Sequence, residues 1–578
     1  MHNLRYILLS IFYTIALFVN AQNRLPDDYF RSPLDIPLYL AGTFGELRTN
    51  HFHAGIDIKT KGVEGLKVHA VADGYVSRIK VSLGGYGNAI YITHPNGYVS
   101  VYGHLKQFNS AIQRYVKEQQ YKKKSFTVDL FPEKGLLKVS KGDVVALSGN
   151  SGGSSGPHLH FEIRDAANQH PVNPLLFKSI KVADDRKPVI SELLLYPIGD
   201  SSLVYGAADT AHFKVVGNKG EYHLLNDTVI IAHGNISFGL RAYDRMDGIN
   251  NRNGIYEEQL WIDSALVFDI ELKELSFYTS RYINSLIDYR YFQKSKRRVV
   301  RTELDTNNRL NIYNTVNNNG IYAFNDTLVH NLEYIVKDAY GNSAKLKYKI
   351  KGYIPDSVPY KNSLVGSDSA IHINFSKQAK VSFDGLSAVF PPNTFYRSLS
   401  LSYKRSSGDS NSFSDLYTIG SRFVPVQKYY ELSIRPDDKI ADSLQSKLYI
   451  AKVDGRDRFS YVGGNFADGL ITAKTRALGT FTVGLDTLPP TIKPVNIIDK
   501  KRIGSQKNIK LRISDKPTGI KKYAAFLNDK WILMEYDPKK ATLTYNFDSH
   551  LDKGKNLFKL YVFDNRDNKS VYEAVLYY

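Results

Sequence analysis

No cysteine occurs in the 578 residues. Disulfides, thiolate metal sites and lipid attachment at a cleavage-site cysteine are thereby excluded. Stability must come from burial, and the length allows several separate cores. Long apolar runs are equally scarce. The stretch Tyr6 to Val19 is largely apolar, but it is too short and too interrupted by polar residues to favour a membrane span. With Arg5 ahead of it and Val19-Asn20-Ala21 at its end, it reads as a signal peptide over residues 1–21. The expectation is an exported chain, in the periplasm or cell envelope or secreted outright, with no transmembrane segment after cleavage. No basic motif for nucleic acid is present, and export argues against that partner. Acidic residues are in deficit, 57 against 76 Lys and Arg, for a formal charge of +19, or +18 (19 − 1) once Arg5 leaves. Spread over the chain this is a mild bias, which serves solubility or attraction to an anionic polymer or membrane surface.

Tyrosine is abundant at 41 residues, and Tyr, Val, Ile and Thr dominate the later segments, which favours strands. Eight of the fifteen histidines lie from His51 to His170, so the first globular region is the chemical one. Within it, short apolar runs such as Leu66–Ala72, Tyr75–Val81, Asn88–Thr93, Tyr98–Tyr102 and Val144–Leu147 alternate with Gly-rich turns, an antiparallel β pattern. Asn109 to Lys124 interrupts it. Ile112, Tyr115 and Val116 sit at helical spacing behind an Asn109 or Ser110 cap, and the run ends in Lys122-Lys123-Lys124, read as a solvated end.

Beyond Lys181 two strand-rich segments open and close alike. Asp185-Arg186-Lys187-Pro188-Val189-Ile190 is similar to Asp486-Thr487-Leu488-Pro489-Pro490-Thr491-Ile492, and closing strands lead from Asp338 to Asn342 and from Asp564 to Asn568. The expected fold is mainly β: a first domain over 22–180 with a helical insertion, immunoglobulin-like sandwiches over 184–354 and 486–578, and a further β-rich unit over 355–485. The oxygen-rich loop from Asp244 to Gly254 has a composition that could hold calcium, but it lacks the terminal Glu of an EF-hand and reads as a solvated hairpin.

Two stretches carry the chemistry. His53-Ala-Gly-Ile-Asp57 offers an imidazole and a carboxylate four residues apart, which can project to one side of a compact turn. His158-Leu-His160 on a strand points both rings to one face. Catalytic zinc sites take three protein ligands and leave a position for water. His53, Asp57 and one of the His158/His160 pair would fill three corners. The other histidine of the pair, and His104, are then candidates to move a proton or steady an oxyanion. His51 lacks the four-residue offset to Asp57 and reads as a neighbour. His69, His94 and His170 read as structural. Tyr102 flanks the site as packing or as a substrate contact, and Glu162, on the face of His158 and His160, is placed to bond a ligand imidazole.

Phe52-His53-Ala-Gly-Ile-Asp57, Tyr102-Gly103-His104 and Gly156-Pro157-His158-Leu159-His160-Phe161-Glu162 together resemble the lysostaphin/LytM-type zinc endopeptidases of peptidoglycan, the M23 family. Val71-Ala72-Asp73-Gly74, Gly87-Asn88-Ala89-Ile90 and Lys141-Gly142-Asp143 leading to Ser148-Gly149-Asn150-Ser151-Gly152 add to the likeness, which covers about Leu40 to Pro174. It implies that His53, Asp57 and His160 bind one Zn2+ while His104 and His158 act on the water and the oxyanion. We assign the base to His158 and the stabiliser to His104, although spacing does not separate them. The stretch Gln107 to Lys138 is longer than the family's usual connection and could narrow or cover the groove.

The resemblance implies an exported endopeptidase hydrolysing peptide cross-links between peptidoglycan stems, with the sandwiches as spacer, substrate holder or docking surface for other envelope proteins. Some family members have lost ligands and serve as activators; all five positions are filled here. The alternatives are a non-catalytic envelope scaffold or amidase activator that uses the first domain for binding, and a surface adhesin with an incidental metal site.

Overall fold

The computed structural model describes residues 29–226, 229–356, 371–438, 440–455 and 459–578. The expected signal segment lies outside them. Alternation of side chains across a pleat builds the first sheet. Its strands are β1 (Leu40–Gly42), β2 (Ile56–Lys59), β3 (Gly74–Val81), β4 (Asn88–Thr93), β5 (Tyr98–Gly103), β6 (Val128–Leu130) and β7 (His158–Asp165), in the antiparallel order β1-β2-β7-β5-β4-β3-β6. In β3 the buried positions are Val76, Ile79 and Val81; a bulge between Val76 and Arg78 inserts the extra step. The β4–β5 hairpin turns where Gly97 adopts φ 84° and Asn96 Oδ1 accepts from Tyr98 N. A small sheet of Lys67–His69, Val144–Leu147 and Gln107–Phe108 closes over it, and Ile58, Val76, Ile92, Val145, Leu159 and Phe161 fill the space between.

The register of β7 aligns the chemical residues. His160 lies opposite Asp57 of β2 on one side and Gly103 of β5 on the other. Directly opposed residues share a face of the sheet, so Asp57 and His160 emerge together.

The helical insertion is α1 (Ser110–Lys123). Asn109 caps it by accepting from Ile112 N at 3.0 Å, and Ile112, Val116 and Gln120 form its buried side. Lys122–Lys124 are exposed.

The second core takes in residues 190–350 and also Phe44 and Phe52, which flank the segment leading to His53. Its main strands are β8 (Val189–Val204), β9 (Ile230–Tyr243), β10 (Val329–Lys337) and β11 (Ser343–Gly352). Gly234 in β9 has φ 76°, and the partner on one edge changes there: residues 230–232 pair in parallel with 350–352 of β11 and 234–237 pair antiparallel with 321–324, while β8 pairs along the other edge on both sides of the glycine. The strands thereby link into a single hydrogen-bonded set. Residues 371–485 add two five-stranded sheets and a two-stranded one. The last unit packs a four-stranded sheet containing β12 (Asn508–Ser514) on a five-stranded one containing β13 (Ile520–Leu527), β14 (Lys555–Asp564) and β15 (Lys569–Tyr577).

The two similar segments match in their hydrogen bonds. Asn342 Nδ2 donates to Asp338 Oδ2 (2.7 Å) and to the Asp184 carbonyl (3.0 Å); Asn568 Nδ2 donates to Asp564 Oδ2 (2.7 Å) and to the Asp486 carbonyl (2.9 Å). Asp184, one residue earlier than the sequence comparison paired it, is therefore the counterpart of Asp486.

The last unit docks on α1. The Tyr121 ring stacks on His550 (4.4 Å, 2°) and meets Trp531 edge-on, while its hydroxyl donates to Asp548 Oδ2 at 2.5 Å and Lys117 Nζ lies 2.9 Å from the same oxygen. Lys539 Nζ donates to the Asn150 carbonyl at 2.6 Å, on the loop that leads into β7. Replacing Tyr121 by Ala removes the stack and a charge-assisted hydrogen bond, about 2 kcal/mol together. Tyr121→Ala should therefore free the last unit, read as a larger radius of gyration in small-angle scattering; an unchanged radius would contradict the docking.

Candidate metal centre

Three ligand-type atoms converge above β2 and β7. His53 Nε2 lies 3.0 Å from His160 Nδ1 and 3.1 Å from Asp57 Oδ1, and His160 Nδ1 lies 2.9 Å from Asp57 Oδ1. Three atoms bound at ~2.0–2.2 Å to one tetrahedral ion would lie roughly 3.3–3.6 Å apart, so modest spreading would admit a zinc-sized ion. The far side of each group is already committed. His53 Nδ1 donates to the Thr43 carbonyl (2.8 Å), His160 Nε2 faces Glu162 Oε1 (2.7 Å), and Asp57 Oδ2 accepts from Arg48 Nη2 (2.5 Å). These bonds fix which ring nitrogen of each histidine faces inward, as metal-binding imidazoles require. The donor set, two imidazoles and one carboxylate, fits zinc.

His158 and His104 complete the cleft. His158 precedes His160 by two on β7; its Nε2 lies 3.4 Å from Asp57 Oδ1, and its Nδ1 faces the Gly156 carbonyl (2.9 Å) and Ser154 Oγ. His158 is the most open of the five, with 15% of its side chain exposed, so water reaches the centre at its edge. His104 has φ 58°, a left-handed conformation rare outside glycine, which turns it out of β5 towards His158 with ring centroids 4.7 Å apart. Its Nδ1 donates to the Ser151 carbonyl at 2.8 Å. Ser151 holds its place because two glycines meet back to back: a Cβ on Gly152 would come within 2.3 Å of Gly87 N.

Burial opposes charge throughout the cluster, and specific partners decide each outcome. Burial pushes the His53 ring down to about 4. Burial, then His160 and His158, push His104 down to about 3. For His160 the hydrogen bonds to Asp57 and Glu162 outweigh burial and hold the ring up at about 9. His53, His158 and His160 hold Asp57 well below the carboxylate range against its burial. Arg164 and His160 hold Glu162 down at about 2. The Glu162 carboxylate is fully buried and accepts from Arg164 Nε at 2.6 Å.

All five predicted residues thus lie in one cleft, and Glu162 sits behind His160 as its face of β7 implied. His51 is exposed and turns to the Thr49 carbonyl. His69, His94 and His170 bond to the Gly142 carbonyl, to the Asp73 carbonyl and Ser100, and to Glu274. Tyr102 is fully buried, its hydroxyl bonded to Val71 N and Ser100, so it is packing and does not face the cleft. Three contributors went unread in the sequence. Arg164 continues the His158, His160, Glu162 alternation and was within reach of the period of two. Tyr86, between glycines, stacks on His160 at 4.8 Å. Arg48 carried no local signal.

Residues 51–121 and 134–174 match the sequence profile of peptidase family M23, and residues 371–486 match that of a Zu5-like domain. DD-carboxypeptidase/endopeptidase Mpg of Neisseria meningitidis serogroup B is 36% identical over 129 residues, 22% of this chain and 23% of that protein. An uncharacterized metalloprotease of Haemophilus influenzae is 35% identical over 126 residues, 22% and 21% of the two chains. Murein hydrolase activator NlpD of Escherichia coli is 37% identical over 123 residues, 21% and 25%. The match thus spans about a quarter of the length of these relatives.

The geometry sets two expected outcomes. Glu162→Gln should weaken zinc binding by about 10–100-fold in a chelator competition, because it loosens His160; unchanged affinity would contradict the role of the Glu162 contact. Binding must also displace the proton that His160 holds up to about 9. Zinc affinity should therefore rise about tenfold per pH unit from about pH 7 to pH 8.5 in calorimetry, and a flat profile would contradict it.

Proposed function

We propose that this chain, which carries an M23-family peptidase domain, is an exported zinc endopeptidase that hydrolyses peptide cross-links of bacterial peptidoglycan. The observation that carries the reading is the meeting of His53, Asp57 and His160 with two further imidazoles, His158 and His104, around one opening. The 36% identity to a protein named DD-carboxypeptidase/endopeptidase supports it. Among the described residues no helix is long and apolar enough to cross a membrane.

His53 Nε2, His160 Nδ1 and Asp57 Oδ1 would hold the zinc. When bound, the ion supplies Lewis acidity, acidifying water and polarising the scissile carbonyl. His158 Nδ1–H is committed to the Gly156 carbonyl, so its Nε2 meets the cleft as a proton acceptor. It takes the proton of the attacking water and passes it to the leaving amine. His104 Nδ1–H is likewise committed, to Ser151, and its ring stays neutral down to about 3. The attacking water carries a second proton besides the one that passes through His158, and with that proton on Nε2 the ring would donate to the oxyanion.

The 37% identity to a murein hydrolase activator favours one other reading, in which the domain binds envelope material and stimulates a separate amidase. Purified zinc-loaded protein incubated with sacculi, with soluble muropeptides counted by mass spectrometry, separates the two. Wild type should release cross-link fragments, and His158→Ala should release at least about 100-fold less. His104→Gln, which keeps a donor at the ring position, should retain more activity than His104→Ala. Equal, background release by wild type and His158→Ala would end the enzyme reading and leave the activator.

A further inference from the structure

The two repeat segments each gather three aspartates whose carboxylate oxygens lie within 4.8 Å of one another: Asp184, Asp244 and Asp338 in the first, Asp486, Asp515 and Asp564 in the second. The second set is satisfied internally. Thr518 Oγ1 donates to Asp486 Oδ2 (2.6 Å) and Asp515 Oδ2 (3.3 Å), Gly519 N donates to Asp515 Oδ2 (2.8 Å), and Asn568 Nδ2 serves Asp564. In the first set the position of Thr518 is held by Asp247, as Asp244-Arg-Met-Asp247-Gly248-Ile249 against Asp515-Lys-Pro-Thr518-Gly519-Ile520 shows. A hydroxyl donor has been exchanged for another carboxylate.

The consequence is unmet acceptors. Asp244 is 1% exposed and its Oδ1 has no hydrogen-bond partner; Asp184 Oδ2 is likewise buried and unpartnered. Asn253, 3% exposed and outside the acidic set, leaves both Oδ1 and Nδ2 unpartnered. It exchanges two backbone bonds of 2.9 Å with Asp244, and such an opposed pair presents its side chains on one face, so the Asn253 side chain leaves on the face of the Asp244 carboxylate. The Arg186 charge acts on both Asp184 and Asp244, but its Nη1 is directed to the Met246 and Ile249 carbonyls. Burial, with the other carboxylates adding to it, pushes Asp184 up to about 7 and Asp244 up to about 8. A buried carboxyl of this kind is neutralised by a proton or by a bound cation.

We propose that Asp184, Asp244 and Asp338, with Asp247 and Asn253 beside them, hold one calcium ion at the junction between the peptidase domain and the first sandwich. The donor set is oxygen alone, without imidazole or thiolate, which selects a hard cation. Calcium accepts irregular sets of carboxylate and amide oxygens, whereas magnesium keeps its waters and fits poorly in a buried pocket. The ion joins the linker residue Asp184 to the end of β9 and to the turn after β10. The loop it orders reaches the metal centre: Gly254 N donates to Thr43 Oγ1 (2.9 Å), and the Thr43 carbonyl receives His53 Nδ1.

The test uses full-length, zinc-loaded protein freed of other divalent ions and titrated calorimetrically with calcium chloride. One calcium per chain should bind, with a rise in Tm. Asp244→Asn should weaken binding at least about tenfold, and Asp515→Asn, in the satisfied set, should leave it unchanged. No uptake by wild type at about 10 mM calcium, well above the range of weak extracellular sites, would overturn the proposal. So would equal binding by Asp244→Asn. Neither readout involves hydrolysis, so this inference and the proposed function fail separately.

Discussion

One carboxylate oxygen, Asp57 Oδ1, lies within 3.4 Å of nitrogens from His53, His158 and His160, while Arg48 anchors the other oxygen at 2.5 Å. A buried carboxylate beside three imidazoles is stable only when each neighbour is oriented and each far nitrogen is satisfied. That requirement explains much of the local architecture. The antiparallel register sets His160 opposite Asp57, Glu162 and Arg164 complete a buried charge chain behind it, and paired glycines bring Ser151 close enough to hold His104.

The segment carrying His53 does not stand on the first domain alone. Phe44 and Phe52 belong to the core of the first sandwich, Phe52 N donates to Ser280 Oγ, and Thr43 is bonded to Gly254. On the opposite rim, Lys539 of the last unit bonds Asn150. Both edges of the cleft are therefore held by chain hundreds of residues away. The β-rich tail acts as a frame for the site, and reaction geometry tolerates little displacement of its groups.

Much of the site could be read from the sequence because its rules are local. A period of two puts His158, His160 and Glu162 on one face, and the glycine-bounded hairpins announce their strands. Asn109 and the spacing of Ile112 and Val116 announce α1. What escaped depends on distant chain. Tyr121 gives no hint that its partners are Trp531, Asp548 and His550, and Arg48 has no pattern tying it to Asp57. The loop from Asp244 to Gly254 looked solvated because its polar residues dominate; yet Met246 is buried in the peptidase core and Asn253 in the junction. Composition describes a loop, while burial depends on what the rest of the fold lays over it.

The chemistry of this chain stands or falls with His53, Asp57 and His160 ligating one zinc ion. Diffraction from crystals of the full-length protein, recorded on both sides of the zinc absorption edge, examines that ligation without intermediaries. One anomalous peak is expected, bonded to His53 Nε2, His160 Nδ1 and an Asp57 oxygen, with His104 and His158 facing the remaining side. Zinc-saturated crystals without a peak there, or with Asp57 turned out of the coordination sphere, would contradict it.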